Sequence, residues 1–344
     1  MRGLLTLLLV GAPLFAYADD VNRQLFVAAK NRDTSEIVRA LDRGADVNSL
    51  DSGTPIQLSP LNVAVNQNHL ESVVILLKRG ADPNLSSNGE SPLYLAIARE
   101  TRILKTLLEY GADPNTKTKL SYTPLGRAAA CKPDIFRTLK KNGGYVGRFP
   151  DCGVALKLLL AAGAKVNEPG WHGNPPITEA VYWNNPESVR LLAQAGADIK
   201  MKNQFAKPPL AIAFDQYAIE QDARQMKRPH FTAPMLPMIE LLLRLGADPN
   251  HQDNGAFDEL SDSRVVPNNA GYTLLGLTAR QGWYQAAALL LKHGANPGAP
   301  RTDGALPDVI AEENRHPRTT RLIRTYMTRN PANNSSQPTA FGGG

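Results

Sequence analysis

Residue types that carry out chemistry are few in this 344-residue chain, and they are widely spaced. The six histidines form no H-E-x-x-H sequence and no pair four residues apart, so the sequence indicates no zinc site on a helix. The chain also lacks the G-x-S-x-G nucleophile motif and the phosphate-binding G-x-x-x-x-G-K-[ST] loop. We therefore predict no catalytic residue, no metal site and no cofactor, and we do not expect an enzyme.

Cys131 and Cys152 are compatible with two kinds of chemistry. A thiol becomes a nucleophile when a helix N-terminus or a nearby cation lowers its pKa, and Lys132 is such a cation beside Cys131. In an exported chain, an even number of cysteines instead permits a disulfide. We expect a disulfide between Cys131 and Cys152, because closing a loop of about 20 residues stabilises a fold by ~3 kcal/mol.

An acidic run contains Asp253, Asp258, Glu259 and Asp262. Its spacing does not match the calcium-binding pattern D-x-D-x-D-G, in which alternate oxygen ligands surround one ion. We therefore expect a solvated loop at this place.

The N-terminal stretch MRGLLTLLLVGAPLFAYADD indicates export. Arg2 precedes a short apolar run, and Ala16-Tyr17-Ala18 fits the cleavage site of a signal peptide. The apolar run is too short to span ~30 Å of hydrocarbon, which argues against a membrane anchor. We predict a signal peptide over 1–18, cleavage after Ala18, and a periplasmic or secreted mature chain with no membrane anchor.

The overall composition fits a folded and mildly basic protein. Hydrophobic residues make up 42% of the chain and charged residues 20%. Arg2 is the only charged residue in the predicted signal peptide, so its removal lowers the net charge from +6 to +5. This small excess slightly favours acidic partners and gives little support for nucleic-acid binding.

The elements that would position any site come from an internal repeat. The motif Gly-Ala-Asp-x-Asn begins at Gly44, Gly80, Gly111 and Gly246, and weaker copies begin at Gly163, Gly196 and Gly294. Each copy follows an apolar helical run, and a second helical segment such as TPLGRAA precedes most of these runs.

Local residue chemistry supports two helices in each repeat. Thr123 can cap the first helix and Pro124 suits its first turn, while Asn68, Asn184 and Gly282 are suited to a left-handed residue at its end. The glycine of each Gly-Ala-Asp motif ends the second helix. A single pair of helices cannot bury its own apolar faces, so neighbouring pairs must stack.

This pattern resembles the ankyrin-repeat family over about residues 22–330, and it is similar to exported bacterial members. The resemblance implies an all-α solenoid of stacked helix-turn-helix units with finger loops, two insertions and a C-terminal helical cap. The family motif T-P-L-H-x-A departs here at its histidine, so we expect a less regular and less stable stack. That position holds Asn62, Tyr94, Gly126, Thr178, Ala211 or Gly276.

The spacing of the glycines places the repeat boundaries. Gly143 to Gly163 is only 20 residues, so we expect a truncated unit there, with Asn142 to Val146 as a worn copy of the motif. Longer spacings indicate insertions over about 215–234 and 251–270, and the tail over 331–344 is expected to be disordered. The predicted repeats, within a domain over 19–330, are 22–53, 54–89, 90–120, 121–146, the truncated 147–173, 174–206, 207–270 and 271–303, followed by a cap over 304–330.

In the family, partners bind the concave face made by inner-helix ends and finger tips. The repeat register places on this face Tyr122, Trp171, His172, Tyr182, Trp183, Phe205, Lys207, Tyr272 and Arg280. Aromatic side chains dominate interface hot spots, so we expect a protein-binding surface, although some of these residues have packing around the truncated unit as their alternative role.

The expected function is that of an exported module, monomeric by itself, that binds another protein. Its narrower form is a protective factor that neutralises a toxin, that is, an immunity protein. An effector acting on host proteins is the alternative, and an enzyme built on the two insertions is a third.

Overall fold

The computed structural model describes residues 11–51, 57–131, 151–225, 234–253 and 271–329. The chain divides into two compact units, Met1–Trp171 and His172–Gly344. Within these described ranges the units are built from α-helices joined by turns. Several predictions fall outside them, namely the signal-peptide start at Arg2, the worn motif at 142–146, the acidic residues 258–262 and the tail over 331–344.

In its described residues, unit 1 contains four pairs of antiparallel helices. The first helix of each pair contacts the first helix of the next pair, and the second helices do the same, so inner and outer layers form. The inner helices are α1 (Gly11–Asn31), α3 (Pro60–Asn66), α5 (Pro92–Ala96) and α7 (Pro124–Ala129). The outer helices are α2 (Thr34–Asp42), α4 (Leu70–Lys78), α6 (Thr101–Glu109) and α8 (Cys152–Ala161).

Unit 2 also contains four helix pairs in its described residues. The last pair forms the predicted C-terminal cap. The inner helices are α9 (Pro176–Tyr182), α11 (Pro209–Gln225), α13 (Leu274–Gln281) and α15 (Pro307–Glu313). The outer helices are α10 (Pro186–Gln194), α12 (Leu236–Arg244), α14 (Tyr284–Lys292) and α16 (Pro317–Arg329).

The helix ends follow the chemistry expected from the sequence. The Thr123 hydroxyl accepts a hydrogen bond from the backbone N–H of Gly126 at 3.0 Å, and Pro124 stands in the first turn of α7. Asn68 and Asn184 adopt φ values of 54° and 50°, and the glycine of each Gly-Ala-Asp motif lies near 90°. These left-handed residues turn the chain after each helix, as predicted.

Apolar side chains between the two layers form the core of each unit. In unit 1 these are Leu61, Leu76, Leu93, Ile103, Leu104, Leu107, Leu125 and Leu156, all at most 2% exposed. In unit 2 they include Ile177, Val189, Leu192, Phe214, Ile239, Leu242, Leu290 and Ile323. Because each helix pair leaves one apolar face for its neighbour, stacking completes the core.

A ladder of asparagine side chains, which was not predicted from the sequence, joins neighbouring repeats. The Asn84 side chain accepts from the N–H of Asp113 at 2.7 Å and donates to the carbonyl of Gly111 at 3.1 Å. Asn48 and Asn250 make the same two bonds to the repeats that follow them. The last residue of Gly-Ala-Asp-x-Asn therefore fixes the spacing of successive fingers.

The ladder corrects the predicted truncated unit. The Asn115 amide bonds to the carbonyl of Gly163 at 3.2 Å and to the N–H of Lys165 at 2.8 Å. Gly163 therefore follows Gly111 directly in the array, and α7 packs against α8 as one ordinary pair. This order differs from the predicted separate units over 121–146 and 147–173, and residues 132–150 of those units lie outside the described residues.

Insertions also lengthen unit 2. Helix α11 runs for 17 residues, where the other inner helices of this unit have seven or eight. The first predicted insertion, over about 215–234, thus begins within an extended inner helix. The second insertion lies mainly over 254–270, outside the described residues.

Candidate protein-binding surface

The finger between α6 and α7 ends in a tight turn. The N–H of Thr118 bonds to the carbonyl of Tyr122 at 3.0 Å, and its hydroxyl accepts from the N–H of Tyr122 at the same distance. Ser121 adopts a left-handed φ of 64° to close the turn. The turn leaves Leu120 at its tip with 65% of its surface exposed.

A turn of the same type lies in unit 2. The N–H of Asn203 bonds to the carbonyl of Lys207 at 3.1 Å, and the Asn203 side chain accepts from the N–H groups of Phe205 and Lys207. Ala206 takes the left-handed position with a φ of 58°. Phe205 therefore occupies the tip that Leu120 occupies in unit 1. Leu120 was not predicted at this surface, because an exposed leucine departs from the usual preference of leucine for the core.

Two predicted aromatic residues meet in unit 1. The rings of Tyr122 and Trp171 stack with centroids 5.5 Å apart and planes 25° apart. Lys117 holds the two fingers together, since its ammonium contacts the Glu168 carboxylate at 2.6 Å and the carbonyl of Pro169 at 2.9 Å. The hydrogen bond from Lys117 lowers the pKa of Glu168. The stacked pair is thus supported by an ion pair between adjacent fingers.

Other predicted aromatics meet within unit 2. His172, with a left-handed φ of 54°, lies 5.4 Å from the Phe205 ring, and its Nδ1 is 2.7 Å from the Gln204 side-chain nitrogen. Tyr182 and Trp183 form an edge-to-face pair at the end of α9, and Trp183 is 38% exposed. Both sets therefore present apolar surface to solvent.

Lys207 does not belong to the exposed surface, which corrects its predicted role. Its side chain is 5% exposed, and its ammonium lies 2.7 Å from the carboxylate of Asp215 and 4.0 Å from that of Asp253. A buried cation needs such partners because leaving water is costly. Asp253, expected in a solvated loop, is buried for the same reason. Burial also lowers the pKa of nearby His251.

Tyr272 is also a structural residue and not a surface one. It is 9% exposed, and the guanidinium groups of Arg280 and Arg301 lie 5.4 Å and 4.8 Å from its ring centroid. Arg280 is half-buried. Tyr272 and Lys207, which were predicted to bind a partner, are therefore buried structural residues. Arg280 contacts the ring of Tyr272.

The two cysteines form a disulfide between Cys131 and Cys152, with their Cα atoms 5.8 Å apart. The bond joins the end of α7 to the start of α8, so it closes the extra residues of this repeat. The alternative of a nucleophilic Cys131 is excluded because the thiol is used in the bond.

The described residues offer no group of three or more histidine, cysteine or acidic side chains placed to hold a metal ion. None of the helices among them is both long and apolar enough to cross a bilayer.

Comparison with known proteins identifies the repeat. Family models for ankyrin repeats match residues 25–118, as three copies, and residues 172–204, as one. The fingers Thr118–Tyr122 and Asn203–Lys207 lie at the ends of these two matches.

Larger proteins share this similarity. The chain is 28% identical over 189 residues to a putative palmitoyltransferase (ZDHHC13) of Danio rerio, covering 54% of this chain and 26% of that protein. It is 35% identical over 131 residues to zygote-specific protein 3 of Chlamydomonas reinhardtii, covering 38% and 34%. It is 27% identical over 202 residues to human SH3 and multiple ankyrin repeat domains protein 2, covering 54% and 11%.

The chain thus spans about a third or less of the length of these relatives. These names describe the whole proteins. Its matched segments and its stacked helix pairs together make this chain an all-α protein that contains ankyrin repeats.

Proposed function

We propose that the chain is an exported module that binds another protein through its finger turns. The observation that carries the proposal is the repeated turn that places Leu120 and Phe205 at finger tips, beside further aromatic side chains. A rigid turn presents an apolar side chain at little entropic cost, which is the property of an interface anchor. Repeats matched to a family of interaction modules support the same function, and we assign no catalytic step to the chain.

Export is the second part of the proposal. The disulfide between Cys131 and Cys152 supports it, because such bonds persist in oxidising compartments and are rare in the cytosol. N-terminal sequencing of protein recovered from the periplasm should begin at Asp19. Recovery of uncut protein with two free thiols from the cytoplasm would refute this part.

Site-specific photo-crosslinking tests the binding surface. A benzoyl-phenylalanine placed at position 120 or 205 should capture the same protein from an envelope extract. Val154 is a matched control because it is 40% exposed on the outer helix α8. Capture from position 154 alone, or from no position, would contradict binding through the fingers.

The narrower form of the proposal is a protective role, in which the captured protein is a toxin that the module neutralises. Expression of the captured protein alone should then inhibit growth, and co-expression of the chain with it should restore growth. Delivery of the chain into host cells and capture of a host protein would instead support the effector alternative.

A further inference from the structure

We propose that the inner side of unit 1 binds an acidic segment of the partner protein. This inference rests on the proposed binding function and specifies the chemistry of the partner. We call the surface the cationic face, and it consists of Arg99, Lys119 and Arg127 together with Leu120 and the Tyr122–Trp171 pair.

Arg127 is the centre of the cationic face. Its guanidinium lies 4.2 Å above the centroid of the Tyr94 ring, and the side chain is half-exposed. In the part of unit 1 that the structure describes, no carboxylate pairs with it. A guanidinium stacked on a ring keeps its N–H groups in the plane parallel to that ring, where they can form two bonds to one carboxylate.

Arg99 adds a second cation, at the end of the preceding inner helix α5. Its Nη2 donates to the amide oxygen of Asn66 at 3.3 Å, and its buried Nε has no acceptor among the described residues. The neighbouring carboxylate of Glu100 does not neutralise it, because Glu100 bonds to Arg102 at 2.6 Å. Among the described residues of unit 1, Arg99 therefore has no carboxylate partner.

Lys119 brings a third cation onto the adjacent finger. It is exposed, and its aliphatic stem covers Gly89, where an added Cβ would clash with the Lys119 Cγ. The Lys119 N–H bonds to the carbonyl of Gly89 at 3.2 Å, which ties this finger to the previous one. No ion pair holds its ammonium within the described residues. The cation is thus positioned by the backbone and remains available to a partner.

Three arginines on the outer side, in contrast, have carboxylate partners. Arg39, Arg79 and Arg102, in or next to the outer helices, each pair with a carboxylate of unit 1. Cations without carboxylate partners on the inner side favour an anionic occupant. Leu120 and the stacked rings favour a protein over a lipid headgroup or a phosphate chain, because they need apolar side chains to cover them.

Fluorescence anisotropy with the full chain tests the inference. The probe is a labelled 12-residue peptide with six glutamates and two leucines in a glycine–serine background, and matched peptides carry glutamine or lysine instead of glutamate. We expect binding of the glutamate peptide alone, and this binding should weaken about fivefold or more between 50 mM and 300 mM salt.

Charge reversal locates the binding. Arg127→Glu and Lys119→Glu should each weaken binding of the glutamate peptide by about tenfold or more in Kd, and a tenfold change is equivalent to about 1.4 kcal/mol. Lys157→Glu, on the exposed side of α8 in the same repeat as Arg127, should leave binding unchanged. Lys119→Glu keeps the test decisive if Arg127→Glu unfolds, since Lys119 lies on a surface turn.

Three results would overturn the inference. The glutamine peptide could bind as tightly as the glutamate peptide, or Arg127→Glu and Lys119→Glu could bind the glutamate peptide as tightly as the Lys157→Glu control does. The third result is binding to anionic vesicles that depends on Arg127 and that the glutamate peptide does not displace. Crosslinking from position 120 that excess glutamate peptide does not reduce would refute the acidic partner while leaving the proposed function intact. Absence of any finger crosslink would refute the proposed function itself.

Discussion

Replacing Lys207 by methionine should strongly destabilise unit 2. The substitution keeps the volume and removes the ammonium that lies 2.7 Å from Asp215 and 4.0 Å from Asp253, whose side chains are 6% and 8% exposed. Removing one partner from buried ionic groups costs about 3–5 kcal/mol, because the remaining charges stay out of water. At about 2–4 °C per kcal/mol for a unit of this size, we expect thermal unfolding to occur about 6–20 °C lower.

The assay is thermal and urea unfolding followed by far-ultraviolet circular dichroism. Lys202→Met is the matched control, because Lys202 is exposed on the same finger and should change stability by less than about 0.5 kcal/mol. Adding Asp215→Leu to Lys207→Met should recover part of the loss. If Lys207→Met were as stable as the wild type and only partner binding fell, the burial argument would be wrong and Lys207 would be a surface contact.

Three further predictions test the ladder, the disulfide and the titration of unit 2. Asn84→Ala should lower the free energy of unfolding by about 1–3 kcal/mol in urea titrations, because it removes two bonds to the next repeat, whereas Lys78→Ala on α4 should not. Cys152→Ser should cost ~3 kcal/mol, and a reducing agent should have the same effect on the wild type and none on the variant. Burial lowers the pKa of His251 in the folded chain, so the neutral form is favoured by folding. Its stabilisation is present above the unfolded pKa of 6.5 and should be lost as the pH falls from there through the lower pKa of the folded chain; His251→Asn should flatten this dependence in melts from pH 8 to 5.

The fold followed from the sequence because its signals are local. The Thr123 cap, the proline after it and the left-handed Asn68 act within one or two turns of helix, so each helix pair was predictable. Repetition of these signals then implied stacking, since apolar faces recur with the same period.

The truncated unit was mispredicted because spacing alone does not tell which helices pair. The amide bonds of Asn115 to Gly163 and Lys165 show which finger follows the finger at Gly111. These bonds join residues about 50 positions apart, so no local pattern contains them.

The candidate surface was predictable in part. Phe205, Tyr122 and Trp171 were placed on the surface from the repeat register, and the structure shows the last two stacked. The residue type alone, however, does not tell which finger residues are buried. Lys207 and Tyr272 occupy finger positions and still turn inward, because Asp215 and the arginines around Tyr272 come from other segments. Leu120 was missed because an exposed leucine departs from its usual preference for the core.

Amide hydrogen exchange of the protein, alone and with the partner captured by crosslinking, tests the central claim most directly. Binding through the fingers predicts slowed exchange in peptides that cover Thr118–Tyr122 and Asn203–Lys207, with unchanged exchange in the outer helices α4, α8 and α12. Slowed exchange in the outer helices, with both finger turns unaffected, would contradict the account.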